Sequence, residues 1–366
     1  MCHAGFEFNK VDLSTLCWYI RRAVACEKVT PPKRYNRGAM PFDYRLMRVS
    51  LYRFLRKDYF EMKRIEFYYP SFTKKALTFT IDDGNMKYDR MLLDILEPAG
   101  IRGTFNLCSN IHKGRENETR EFYKGYGIAN HCKHHPLVNF DSVEYVESSE
   151  PFNPESSDPT KIYKVDGNDG FFWVMRPNGW RQMIYEDDFI RFVREGLDEL
   201  NAMFGGGVRD FVWPYGEQNN AAVKEYVNSV HRSVRKTGPT IDLNGFAIPE
   251  KMGWSYNANH LNLLEVMERY EKYHDDGELK FFAFGVHSID FERDDKWDDL
   301  KKFAEKYGNR PDTYWYASVE EIFDYEEATA LLKVEDSAAV NTGNITLYVG
   351  IDGVKQVIEP GQSVSI

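Results

Sequence analysis

Two adjacent carboxylates and a pair of histidines carry the chemical signal in this 366-residue chain. In "LTFTIDDGN", residues 77–85, an apolar and β-branched run leads into Asp82, Asp83 and Gly84. Like charges side by side at the end of a buried strand repel, and burying either is costly unless something pairs with it. An Asp-Gly turn answers this, and so does a cation. In "NHCKHHP", residues 130–136, His131 and His135 stand four apart, which on a helical turn puts both imidazoles on one face. Two imidazoles and one carboxylate are a sound ligand set for zinc or a similar divalent metal, and they leave positions open for water and substrate. With Asp83 on the metal, Asp82 stays free as a base, so two carboxylates take two roles. His134 is a decoy, one residue off the shared face. "VWPYG" (212–216) and "FGVHS" (284–288) lie at the ends of further apolar runs. Each segment alone has a plainer reading: a turn for the Asp pair, a surface pair for the histidines, a satisfied core histidine for His287.

Such side chains need a scaffold that ends several strands at one place, and parallel α/β folds bind ligands where strands end. From residue 75 onward the pattern fits. "ALTFTI" reads as a strand, "DRMLLDILEPAG" as a helix stopped by Pro98 and Gly100, and "IRGTFNLCS" as a second strand. Further on, "EDDFIRFVREGLDELNAMF", "LNLLEVMERYEKYHD" and "KWDDLKKFAEKYG" are amphipathic helices, with "VRDFVWPYG", "HRSVRK" and "LKFFAFGVHSI" as strands between them. Strands alternating with helices of this length indicate right-handed βα units and a parallel sheet or barrel. Residues 1–75 read as a helical, basic extension. Residues 143–185 read as a hairpin-like insertion, and 334–366 as a small β appendage with "DG" and "EPGQ" turns. Trp173 and Trp180 in the insertion either wall one side of the cleft or form a surface cluster of their own.

The net charge of −10 argues against nucleic acid or an anionic membrane as the main partner. The stretch 21–64 departs from it, with thirteen Lys or Arg against four acids; it reads as a solvated face or as an anion-binding surface. No apolar run reaches the 18 or so residues of a membrane helix, and the N-terminus lacks a signal-peptide pattern. Five cysteines (Cys2, Cys17, Cys26, Cys108, Cys132), an odd number without CxxC, do not read as a disulfide framework. A cytoplasmic location is the expectation.

In order and separation, TIDDG, the His131/His135 pair, WPYG and the strand-borne His287 resemble the polysaccharide deacetylases of carbohydrate esterase family 4, the NodB homology domain. The family signature Thr-Phe-Asp-Asp-Gly differs from residues 80–84 only at Ile81. "ANHCKHHP" keeps the spacing of the second signature, with Gly127 and Ile128 ahead of it. The resemblance spans residues 76–328 and implies a distorted (β/α) barrel of about seven parallel strands, with domain bounds of 76–333. It implies Asp83, His131 and His135 as ligands of zinc, or of cobalt, nickel or manganese. Asp82 would be the base that deprotonates a metal-bound water, and His287 the acid that protonates the leaving amine. The backbone N–H of Tyr215 would join the metal at the oxyanion, with Trp213 and Pro214 on the substrate side. The implied activity is hydrolytic removal of acetyl groups from N-acetylated oligo- or polysaccharide. An O-acetyl esterase, an amidohydrolase of cyclic imides or ureides, and a glycan-binding module without turnover are the alternatives. Three departures stand out. Cys132 replaces a hydroxyl residue. Val212 stands where many members carry an Arg that orients the base, with Arg176, Arg181 and Arg209 as candidate substitutes. The motif that tunes the acid histidine is not recognisable, leaving Asp242, Trp254 and Asp290 as candidates.

Overall fold

The strand Lys75–Asp83 (β1) is buried from Ala76 through Asp82, so it is covered on both faces, as central strands of parallel sheets are. The computed structural model describes residues 65–138, 146–165, 170–177, 179–216, 220–236, 238, 246–273, 276–335 and 337–366. Most of the expected N-terminal extension, and Asp242, lie outside them. After β1 come Gly103–Leu107 (β2), Gly127–Asn130 (β3), Asp210–Val212 (β4), Ser233–Arg235 (β5), Met252–Trp254 (β6), Lys280–His287 (β7) and Tyr314–Tyr316 (β8). The order across the sheet is β6-β5-β4-β3-β2-β1-β7, and every ladder in it is parallel. The short β8 pairs with Lys75 to Leu77, ahead of the part of β1 that pairs with β2. Beyond β6, the Asn257 N–H donates to the Ala283 carbonyl and the Gly285 N–H to that of Ala258, so the sheet curls back toward β7. The seven-strand run is the distorted (β/α) barrel expected from the sequence.

Helices follow the strands: Met86–Leu96 (α1), Glu116–Phe122 (α2), Glu186–Phe204 (α3), Ala221–Val230 (α4), Leu263–Lys272 (α5), Ser288–Arg293 (α6), Trp297–Tyr307 (α7) and Val319–Thr329 (α8). Along α3, Phe189, Phe192, Val193, Gly196, Leu200 and Met203 are buried at three- and four-residue spacing, and Gly205 ends the helix in the left-handed region. A Ser318–Glu321 capping box starts α8. Stacked Phe79 and Phe284, with Phe303 edge-on, join β1, β7 and α7 in the main core.

The C-terminal strands are not isolated. Leu347–Ile351 pairs with Val354–Ile358 and, on its other side, with Ile65–Tyr68, a stretch that the sequence reading had placed in the N-terminal extension. Leu347, Val349 and Ile358 share a core with Tyr69 and with Phe323 and Tyr325 of α8. In the insertion, Phe172–Arg176 and Gly179–Ile184 form an antiparallel hairpin inside a five-stranded sheet. No helix among the described residues is long and apolar enough to cross a membrane.

Asp89 of α1 is fully buried; its Oδ2 accepts from the Tyr123 hydroxyl at 2.6 Å. Burial raises its pKa from 3.8 to about 7, although the Tyr123 hydroxyl donates a hydrogen bond to it. A raised carboxyl contributes stability that is fully present below pH 3.8 and is lost as pH climbs through about 7. That loss is worth about 4 kcal/mol. Asp89→Asn is therefore expected to flatten the decline of melting temperature between pH 4 and 7; parallel curves for the two proteins would contradict this.

Candidate active site

Parallel register sets the site. Asp82 lies beside Asn106 and His287, Asp83 beside Leu107, Leu107 beside Asn130, and Val212 beside Arg235, so the C-terminal ends of six strands meet at one level. At the end of β1 the backbone turns sharply, with Asp83 at φ +78 and Gly84 at +74. A Cβ on Gly84 would sit 2.7 Å from His112 Nε2 and from a Leu107 methyl carbon, which leaves room for glycine alone.

His131 and His135 ride on a loop, not on the helical turn that their spacing suggests. Cys132 has φ +70, and Asn130 holds the loop by accepting from the Cys132 N–H at 3.0 Å and donating to the Val193 carbonyl at 2.9 Å. Helix α3 comes so close here that a Cβ on Gly196 would fall 2.8 Å from Asn130 Oδ1 and the Lys133 nitrogen. Cys132 itself is buried among apolar side chains, and Asn130 supplies the loop's polar support.

Asp83 Oδ1 lies 3.4 Å from His131 Nε2 and 3.6 Å from His135 Nε2. His131 Nδ1 is 2.8 Å from the Val212 carbonyl. A carbonyl only accepts, so Nδ1 carries the proton and Nε2 keeps its lone pair. Asp83 Oδ1 and His131 Nε2 are both buried without a hydrogen-bond partner. Burial, followed by repulsion from His131, pushes the His135 pKa down to about 4, so its ring is neutral and able to ligate. Burial also pushes Asp83 up, but the close approach of His131, with His135 and His287, outweighs it and holds the carboxyl well below the usual carboxylate range. Two orphaned ligand atoms beside a neutral imidazole fit a divalent cation. Cys108 Sγ joins Asp83 and His131 in a group whose ligand atoms lie within 4.8 Å of one another.

Asp82 is buried beside this group. Its Oδ1 accepts from Asn106 Nδ2 at 2.6 Å and from an Arg235 Nη2, while Oδ2 lies 4.0 Å from His287 Nε2. Burial raises the Asp82 pKa, but the Arg235 guanidinium, with His131 and His287, outweighs it and keeps the carboxylate charged. His287 Nε2 is 3.9 Å from Asp83 Oδ2, and its Nδ1 is 3.0 Å from Asp290 Oδ2 in the first turn of α6. Burial lowers the His287 pKa, yet the Asp290 hydrogen bond and the charges of Asp82 and Asp83 lift it to about 9. Tyr215, at φ +54, sets its ring 4.4 Å from that of His135. A cavity of about 600 Å³ opens beside Asp83, toward Ile111, Arg115 and Phe122.

Residues 70–232 match the family model described as "Polysaccharide deacetylase". This segment is a polysaccharide deacetylase domain. Among solved structures, the chain is similar to a polysaccharide deacetylase from Bacillus cereus, at 14% identity over 68% of this chain and 93% of that one, TM-score 0.39. A family 4 carbohydrate esterase from Streptomyces lividans in complex with acetate is similar at 12% identity, over 64% and 88%, TM-score 0.36. A CE4 family pseudoenzyme from Bacillus anthracis is similar at 14%, over 68% and 65%, TM-score 0.37. No curated protein matches the sequence. The matched segment holds Asp82, Asp83, His131, His135 and Tyr215; Arg235, His287 and Asp290 follow it in the same sheet and the helix after it.

Several candidate residues fall elsewhere. Trp213 is 1% exposed, packed between Phe189 and Phe211, and Pro214 is buried too. Neither can offer a face to substrate, because at this strand end the apolar side chains turn inward and Tyr215 turns out. Trp173 stacks on Phe152 at 4.6 Å, and Trp180 packs edge-on against Phe152 and Tyr163, so both belong to a cluster within the insertion. Arg209 pairs with Asp324. The partner of Asp82 is Arg235, one strand over from Val212 and directly opposite it in register. Among the acid-tuning candidates, Asp290 reaches His287, whereas Trp254 is buried against Phe281 and Phe323.

Proposed function

We propose that this protein is a metal-dependent carbohydrate N-deacetylase, hydrolysing an acetamide on a sugar to acetate and a free amine. One observation carries the reading: the buried, unpartnered Asp83 Oδ1 lies 3.4 Å from the unpartnered His131 Nε2 and 3.6 Å from Nε2 of the neutral His135, with a charged Asp82 and His287 next to it. Asp83, His131 and His135 would hold the cation, zinc by their donor types. When bound there it would polarise the acetyl carbonyl and make water acidic enough to attack at neutral pH.

The chain's own residues do the remainder. Asp82, fixed by Asn106 and Arg235 through Oδ1, takes the proton of the attacking water on Oδ2. His287, oriented and kept protonated by Asp290, gives a proton from Nε2 to the leaving nitrogen, because an amine departs poorly as an anion. The backbone N–H of Tyr215 faces the developing oxyanion, a contribution typically worth about 3 kcal/mol. The cavity beside Asp83 is large enough for a sugar ring with its neighbours.

The direct test is acetate release from N-acetylated and O-acetylated sugar oligomers by zinc-loaded and chelator-treated protein. Zinc-dependent release from the N-acetyl series supports the reading, and release from the O-acetyl series alone removes it. The pH profile adds a second check. The acid must be protonated, so the rate falls as pH rises through the pKa of His287. A bound cation offsets the share owed to Asp83 and leaves that of Asp290. Asp290→Asn is therefore expected to move the alkaline limb to lower pH, and an unmoved limb would contradict the role of His287.

A further inference from the structure

We propose that Arg181, on the hairpin of the insertion, binds a carboxylate on a sugar neighbouring the acetamide, so that the substrate is an acidic N-acetylated glycan. The inference rests on the deacetylase reading above and names a substrate class for it. It begins with how the insertion meets the site. Leu137 and Val138, directly after His135 and Pro136, pair in parallel with Met183 and Ile184. Followed back two residues, the same ladder brings Arg181 level with His135. Strand alternation sets Arg181 on the face of Met183 and opposite Val174, while Trp180 turns to the other face and its aromatic cluster. Val174 and Met183 share a buried cluster with Leu137, so this face is the one turned to the histidine loop. The Arg181 charge reaches the Tyr215 hydroxyl and acts there more strongly than that of Asp83. Tyr215 is 46% exposed and sets its ring against that of His135. A glycan with its acetamide at Asp83 and His135 would therefore pass Tyr215 and meet a guanidinium.

Other arginines around the site already hold carboxylates. Arg115 on the cavity rim is bound to Glu118 through two nitrogens, Arg235 pairs with Asp82, and Arg293 pairs with Asp290 and Asp294. Arg181 differs. Its Nη1 donates to the Trp180 carbonyl at 2.9 Å, and among the described residues no carboxylate pairs with it. A role in pinning the hairpin would account for the Nη1 bond and leave the rest of the fork unexplained. The planar guanidinium matches a carboxylate through two parallel hydrogen bonds, whereas a neutral sugar offers it only hydroxyls. Nothing at the centre would repel such a substrate. Arg235 already balances Asp82, and a bound cation would balance Asp83.

The test compares acetate release by the zinc-loaded full-length chain from two hexasaccharides, one of N-acetylglucosamine alone and one in which it alternates with glucuronic acid. The parent should favour the acidic probe in kcat/KM by about tenfold or more, and the preference should shrink as ionic strength rises. Arg181→Met should abolish the preference, and Arg181→Lys, which keeps the charge without the fork, should retain part of it. Calorimetry gives a reading without turnover: in a zinc-loaded Asp82→Asn background, adding Arg181→Met should weaken binding of the acidic probe more than that of the neutral one. A parent without the preference, a preference that survives in Arg181→Met, or equal losses on both probes would overturn the role of Arg181 and leave the deacetylase reading standing. No release from either probe by a folded, zinc-loaded parent would overturn this inference and the proposed function together.

Discussion

Asp82→Asn is expected to slow acetate release by about 10²–10⁴-fold while leaving zinc affinity unchanged. Asparagine has nearly the same shape, and its side-chain oxygen can still accept from Asn106 and Arg235. What it lacks is the ability to take a proton. The ligand atoms on Asp83, His131 and His135 belong to other side chains, so the metal should stay. Asp83→Asn should behave differently and lose the metal first. Two adjacent carboxylates would thus separate cleanly into a base and a ligand. An Asp82→Asn protein that keeps most of its turnover would remove Asp82 from the mechanism.

Arg235→Met should have the next largest effect, in two measurable ways. The Arg235 side chain is wholly buried and pairs with Asp82. Removing one partner of a buried ion pair typically costs about 3–5 kcal/mol, because the other charge stays behind. Without the guanidinium, burial dominates and the Asp82 pKa rises. A base works above its pKa, so the acid limb of the pH–rate profile should move to higher pH. The double variant Arg235→Met/Asp82→Asn should recover much of the lost stability, since no buried charge is left unpaired. Equal instability of the single and double variants would mean that Arg235 acts through packing, for instance against the Tyr256 ring over which it lies, and not through Asp82.

The parts of this site that were legible in the sequence are local. TIDDG ends a continuous apolar strand, and the His131–His135 spacing, PYG and the strand-borne His287 each fit in a few residues. Helix α3 covers the same nineteen residues that the 3.6-residue pattern marked out. Arg235 was illegible for a physical reason: its partner lies 153 positions away, and only the β4–β5 register puts it opposite Val212. A signal was present in "HRSVRK", where an arginine closes a short apolar strand with no acid nearby. Asp290, three residues past His287, was readable as a first-turn spacing, yet its contact depended on α6 starting at once after β7. Trp213 misled because an aromatic beside PYG does not disclose which way it points. Ile65–Tyr68 gave no hint of its partner Leu347–Ile351, since antiparallel pairing across nearly the whole barrel leaves no mark on four residues.

Zinc titration by calorimetry on chelator-stripped protein tests the central claim most directly, with a His131→Ala/His135→Ala double variant alongside. One tight site in the parent and none in the folded variant is the predicted result. No tight site in a folded parent would contradict the account, because Asp82, Asp83 and Gly84 would then form a turn and the histidines beside them would serve the fold alone.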